Sequence, residues 1–236
     1  MSTRWLLVLL TGCQFIEEVR TDPETVSWGG TVQVDRSVTT GEVGELTAGA
    51  VSMLDPDGAP LLEAIQPFDD SPGYWRFDDA PVGAEVAIRL EADDIVPIVW
   101  RGTVPTGEAL WFSGALYGRE AAVYEAYFDA LDGLNGIAAP TVGDPEVSVL
   151  WGEPLDPDAW AGVDITVTDG SGDEAALWRL AISDEGTISD AGDGAVDLFI
   201  AVNLAPGAVT LEAGGATTRW PAEGGDVLSA AFYELE

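Results

Sequence analysis

Short segments of apolar or alternating residues, separated by Gly, Pro and Asp, recur along most of the chain. Segments of this length between turn-forming residues are typical of β-strands. Because turns follow at short intervals throughout, the pattern predicts an all-β fold of the sandwich type. The predicted strands are 31–35, 50–54, 74–77, 84–90, 95–100, 147–151, 163–168, 177–182, 196–202, 208–212 and 227–233.

One segment has helical periodicity instead. Within residues 119–131, apolar side chains recur at spacings of three and four, and Gly133 follows as a helix stop. We predict an amphipathic helix that connects two β regions and packs on a sheet, with docking to a partner as the alternative. The apolar residues of this helix are Val123, Tyr124, Tyr127, Phe128 and Leu131.

The two β regions resemble each other in sequence. Residues 80–92 align with residues 205–213, allowing two small gaps, as a Pro-containing turn that leads into a strand ending Leu-Glu-Ala. Residues 107–117 correspond in the same way to residues 225–233. We therefore predict two tandem β-sandwich modules. The predicted division is a signal peptide at 1–12, a tether at 13–30, modules at 31–118 and 145–236, and a connecting helix and linker at 119–144.

The segment Gly73–Phe77, followed by Ala80–Gly83 and an alternating strand, resembles the peptidase-regulatory-like, transthyretin-like β-sandwich family. That family has the pattern Gly-x-Φ-x-Φ, a Pro-Gly turn and then a strand. Residues 203–207 match the turn in the second half, although a clean Gly-x-Φ-x-Φ does not precede it. The resemblance implies a transthyretin-like or Ig-like sandwich for each module and says little about function.

The first thirteen residues have the layout of a short signal peptide, with Arg4, an apolar run over 5–10 and small residues before Cys13. The run is too short to span a bilayer. Leu10-Thr11-Gly12-Cys13 resembles the lipobox of bacterial lipoproteins, which implies cleavage before Cys13 and its acylation with palmitate-type chains. The resemblance implies a lipid anchor in the cell envelope, and Gln14 in place of Asp favours the outer membrane.

Composition limits the partners and the chemistry. The chain has 42 acidic residues against nine basic ones, all Arg, and a net charge of −33. Nucleic acid is excluded as a partner, because phosphate binding needs clustered Lys or Arg. The absence of His and Lys removes the commonest general base and the Schiff-base amine. We therefore expect no enzymatic activity. We expect the protein to bind the membrane through Cys13 and to have an unidentified protein or glycan as a further partner.

Acidic loops in the second half are the one candidate cofactor site. Closely spaced carboxylates with flexible Gly between them could bind calcium, which takes six to eight oxygen ligands. No EF-hand pattern is present, and solvated turns are the favoured interpretation. We expect no other cofactor. The candidate calcium ligands are Asp169, Asp173, Asp184, Asp190 and Asp193.

Trp75, Trp111 and Trp160 are candidates for binding a ligand, because indole faces stack on sugars. The favoured alternative places them in sandwich cores. Three functional hypotheses follow, in decreasing order of support. The first is an envelope lipoprotein acting as a structural or interaction module. The second is a carbohydrate- or calcium-dependent binding protein, and the third is a glycoside hydrolase with paired carboxylates.

Overall fold

A computed structural model describes residues 24–35, 43–46, 48–63, 73–106, 115–183 and 185–233. Within these ranges the chain forms sixteen β-strands and one α-helix, which confirms the predicted all-β sandwich fold. The strands are β1 Thr25–Asp35, β2 Val43–Glu45, β3 Ala50–Leu54, β4 Pro60–Glu63, β5 Tyr74–Pro81, β6 Glu85–Glu91, β7 Ile98–Thr103, β8 Ala115–Arg119, β9 Ser148–Pro154, β10 Ile165–Thr168, β11 Ala176–Ile182, β12 Ile188–Asp190, β13 Leu198–Leu204, β14 Gly207–Ala213, β15 Ala216–Ala222 and β16 Val227–Tyr233, and the helix is α1 Ala121–Leu131.

These strands form three stacked layers. The central sheet has nine strands in the order β12-β11-β13-β9-β16-β7-β6-β3-β4. One outer sheet contains β2-β1-β5 with β8 beside β1, and the other contains β10-β14-β15. Successive residues of β13 enter different cores, Leu198 and Ile200 on one face and Phe199 and Ala201 on the other. Because both faces of the central sheet are covered at β13 and β9, these inner strands are nearly continuously buried.

Each half of the chain repeats the same strand pairing. β1 pairs antiparallel with β5 and parallel with β8, just as β9 pairs antiparallel with β13 and parallel with β16. β6 then pairs with β7 as β14 pairs with β15. Each half is therefore a sandwich of its own. The sequence similarity between residues 80–92 and 205–213 coincides with the topologically equivalent strands β6 and β14.

β16 joins the two sandwiches. It pairs in parallel with β9 on one side and with β7 on the other, so that Leu228 lies opposite both Leu150 and Val99. The core of the first sandwich lies on one face of the shared sheet, and that of the second sandwich lies on the opposite face. The two sandwiches, whose relative arrangement the sequence leaves open, are thus fused through one sheet.

α1 packs on the second half of the central sheet, as predicted. Its buried Tyr124 and Phe128 contact Trp151 and Trp178, with ring centroids 5.4 and 6.3 Å apart. Gly133 follows in the left-handed conformation, with φ 76°, which Gly adopts without strain. In the described residues, no helix is long and apolar enough to cross a membrane.

The predicted tether needs a correction at its end. The sequence pattern places the end of the tether at Gly30, but β1 begins at Thr25. Val26 and Trp28 are buried in the core of the first sandwich, which holds this segment as a strand. Their alternation with polar residues is a strand signal, partly obscured by the Gly29-Gly30 pair that follows.

Candidate functional site

The Asp169 side chain organises the first acidic loop. Its Oδ1 accepts hydrogen bonds from the backbone N–H groups of Ser171 and Asp173 at 2.9 and 3.1 Å, and from the Ser171 hydroxyl at 2.7 Å. Its Oδ2 accepts from the N–H of Ala205 at 3.1 Å. Desolvation raises the pKa of Asp169, but these hydrogen bonds outweigh it and lower that pKa below its usual value. The carboxylate therefore serves as a turn-forming acceptor.

Of the other candidate calcium ligands that the structure describes, only Asp173 lies beside Asp169, and the Ser171 hydroxyl donates to both carboxylates. Asp190 accepts from the Gly192 N–H at 3.0 Å and from the Asn135 amide at 2.9 Å, and these bonds lower its pKa. Asp173 and Asp193 are exposed, and Asp184 lies outside the described residues. Over the ranges that the structure describes, no three His, Cys, Asp or Glu residues are grouped to hold a metal ion.

Two of the three candidate sugar-binding indoles are enclosed. Trp75 is 2% exposed and lies edge-on to Trp28, with ring centroids 5.6 Å apart. Trp160 is 1% exposed and stacks on Phe199 at 5.2 Å. The sugar-binding hypothesis is corrected for these two, because neither indole has an open face. They fill the cores of the first and second sandwich respectively. Trp111 and Cys13 lie outside the described residues.

A buried ion pair that sequence analysis missed connects the two halves. Arg89 of β6 donates to Asp226 Oδ1 at 3.0 Å, and their side chains are 12% and 0% exposed. Asp226 Oδ2 accepts from the N–H of Glu223 at 2.8 Å, and Glu223 and Glu91 also pair with Arg89. Burial raises the pKa of Asp226 to about 6, against the opposing effects of the Glu223 N–H and of Arg89. The enclosure of this pair favours a structural role.

A groove of about 300 Å³ lies beside α1, where β9 and β11 end. We call it the aromatic groove and define it by Tyr127, Trp151, Glu153, Leu155, Ile182 and Asp197. Tyr127 and Trp151 meet edge-to-face, with ring centroids 5.2 Å apart. Leu155 and Ile182 are exposed, and the two carboxylates belong to β9 and to the residue just before β13. Because Trp151 is 2% exposed, it supports the groove from below. The accessible surface of the groove comes from the half-buried Tyr127 ring, the exposed apolar rim and the two acids.

The Trp151 and Glu153 side chains of this groove are held in place. The Arg119 guanidinium and the Trp151 indole N–H both donate to Glu153 Oε1, at 2.6 and 2.7 Å. The guanidinium also lies over the Trp151 ring, 5.0 Å from its centroid. Trp151 and Glu153 are two residues apart on one strand, so their side chains lie on the same face of the sheet. This pairing is the one part of the groove that the alternation of side chains along a strand could have indicated.

Comparison with known proteins adds little to this geometry. No family model and no curated protein matches the chain. Among the solved structures that match are the Bacillus anthracis TIE protein and a mutant of the shaft pilin spaA from Lactobacillus rhamnosus GG. These similarities assign no family. The first is 10% identical with a TM-score of 0.29, covering 87% of this chain and 34% of that chain. The second is 8% identical with a TM-score of 0.26, covering 91% and 100%. This chain therefore spans about a third of the length of the TIE protein chain, 34%.

Proposed function

We propose that this protein is a bacterial envelope lipoprotein, acylated at Cys13 and anchored in the outer membrane, whose fused sandwiches act as a non-enzymatic structural or interaction module. The observation that carries the proposal is the segment Leu10-Thr11-Gly12-Cys13. It places the only cysteine of the chain directly behind Arg4 and the apolar run 5–10.

The physical properties of the chain suit this arrangement. Several acyl chains on one residue hold a protein at a membrane without a basic patch, which this sequence lacks. Residues 14–24 separate Cys13 from β1, and a stretch of this length reaches at most about 40 Å. The net charge of −33 repels an anionic membrane surface. The β body would therefore stand away from the lipid, and the aromatic groove gives it a surface for interaction.

The test is to express the full chain in a Gram-negative host that is fed an alkyne-tagged palmitate. We expect the wild type to carry the label and to leave the membrane fraction only with detergent. Cys13→Ala should lose the label and remain with its apolar run uncleaved, whereas Gln14→Ala, a matched neighbour control, should behave as the wild type. An unlabelled, freely soluble wild type would refute lipid anchoring. Sedimentation of the labelled protein with inner-membrane markers would refute the outer-membrane location.

A further inference from the structure

Half of the exposed large apolar side chains in the described chain lie at the aromatic groove. Four such residues occur in the described chain, and Leu155 and Ile182, 53% and 37% exposed, both line this groove. The other two, Leu61 and Tyr74, belong to β4 and β5 of the first sandwich. Binding of a partner that covers exposed apolar surface beside a concave site is favourable, because it removes that surface from water.

The groove is also organised before any partner arrives. Trp151 is fixed by its bond to Glu153 and by the Arg119 guanidinium over its ring, and Tyr127 packs against its edge. A surface whose side chains are already ordered loses little conformational entropy on binding. The aromatic groove therefore has the rigidity of a recognition site as well as the apolar area.

Charge selects the kind of partner. Arg119 balances Glu153, whereas no ion pair in the described part of the chain neutralises Asp197, whose Oδ2 accepts from the Ile182 N–H at 2.7 Å. The protein as a whole has a net charge of −33, so its electrostatic potential attracts cationic ligands to the groove and repels anionic ones. An apolar ligand that carries positive charge is the complement of such a site.

We propose that the aromatic groove binds a segment of a partner protein in which Arg or Lys alternates with large apolar residues. The apolar side chains of the segment cover Leu155 and Ile182 and lie against the half-buried Tyr127 ring. Its cationic side chains meet Asp197 and the negative electrostatic potential of the protein. This deepens the proposed interaction role, on which it rests, by naming the class of partner.

The test uses the full chain in nonionic detergent and, as the probe, an acetylated peptide of four Arg-Leu repeats, with binding measured by calorimetry. We expect Leu155→Ser/Ile182→Ser to weaken binding by at least about tenfold. The matched control, Leu61→Ser/Tyr74→Ser, removes two exposed apolar residues elsewhere and should bind within about twofold of the wild type. All three proteins carry the same charge, so unspecific attraction cancels in the comparison.

Two further peptides separate charge from apolar contact. Four Arg-Ser repeats keep the charge and four Glu-Leu repeats keep the leucines, and each should bind at least about tenfold more weakly than the Arg-Leu peptide. Asp197→Asn, which preserves an acceptor for Ile182, should weaken Arg-Leu binding and reduce its dependence on salt.

Several results would overturn the proposal. One is that the Arg-Leu peptide does not bind measurably. Another is that the groove variant and the control variant bind this peptide with equal affinity. The third is that the wild type binds the Arg-Ser peptide as tightly as the Arg-Leu peptide. Circular dichroism confirms that each variant is folded. The outcome is independent of lipid anchoring, because binding is measured on solubilised protein, while fractionation of the same cells tests the anchor.

Discussion

Replacing Asp226 with Asn should remove a pH-dependent part of the protein's stability. The carboxyl group is fully enclosed between Arg89 and the Glu223 N–H, and burial raises its pKa to about 6 from the ordinary 3.8. Asn has the same shape and can still accept one of these hydrogen bonds, but it does not titrate. The variant therefore isolates the protonation of one side chain.

The size and sign of the effect follow from the two pKa values. Between about pH 3.8 and 6 the folded state binds more protons at Asp226 than the unfolded state does. The free energy of unfolding consequently rises as the pH falls through about 6, and the gain is complete below about 3.8. At about 1.4 kcal/mol for each pH unit, the full interval is worth about 3 kcal/mol.

Urea unfolding from pH 7 to pH 4, at constant ionic strength and followed by tryptophan fluorescence, measures this difference. We expect the wild type to gain about 2.4 kcal/mol relative to Asp226→Asn over that interval, because the unfolded carboxyl group is still partly ionised at pH 4. Carboxyl groups far from Arg89 have the same surroundings in both proteins, so their contribution cancels. Asp57→Asn, which removes an exposed carboxylate, is the matched control for the loss of one negative charge.

A constant difference between the wild type and Asp226→Asn across this pH range would refute the raised pKa. A wild type that loses stability relative to the variant as the pH falls would show that attraction to Arg89 outweighs desolvation. The difference in unfolding free energy between the two proteins at pH 7 does not test the pKa, because the substitution also changes a contact with Arg89.

Two further predictions concern the core and the acidic loops. Gly152→Ala should lower the melting temperature, at a cost of about 1–3 kcal/mol, because a methyl group there would overlap the Phe199 ring. Gly102→Ala, whose methyl would sit 3.6 Å from the Trp28 ring, is the control, and equal melting of the two variants would contradict this packing. Calcium at about 5 mM should leave the melting temperature unchanged, because Asp169 and Asp190 already accept N–H donors; a rise with calcium but not with magnesium would show a site.

The sequence was most informative about elements whose structure depends on local patterns of residues. Alternation and turn residues located most of the longer strands, and α1 differs from its prediction only at its start, because Arg119 belongs to β8. The strand β15 was missed, although Gly214-Gly215 between two alternating segments is a hairpin pattern. Strands β2 and β12, with three residues each, are too short to show periodicity.

The candidate sites depended on contacts that a single sequence does not encode visibly. Arg89 and Asp226 are 137 positions apart, and nothing in either neighbourhood indicates a buried pair. The aromatic groove brings together α1, β9, β11 and the residue before β13, which only the tertiary fold places side by side. The acidic loops were visible in the sequence, but the use of their carboxylates as turn acceptors depends on backbone geometry.

The central position of β16 bears on how the chain folds. Until this strand is present, β7 and β9 each keep an unpaired edge, and the two sandwiches have no common sheet. Both pairings of β16 are parallel, and its pairing with β7 joins residues that are distant in sequence. We therefore expect this pairing to form slowly and late in folding. A nascent chain that still lacks β16 cannot complete its core. We expect such a chain to remain open to chaperones, the state in which a polypeptide can be threaded across a membrane before it folds.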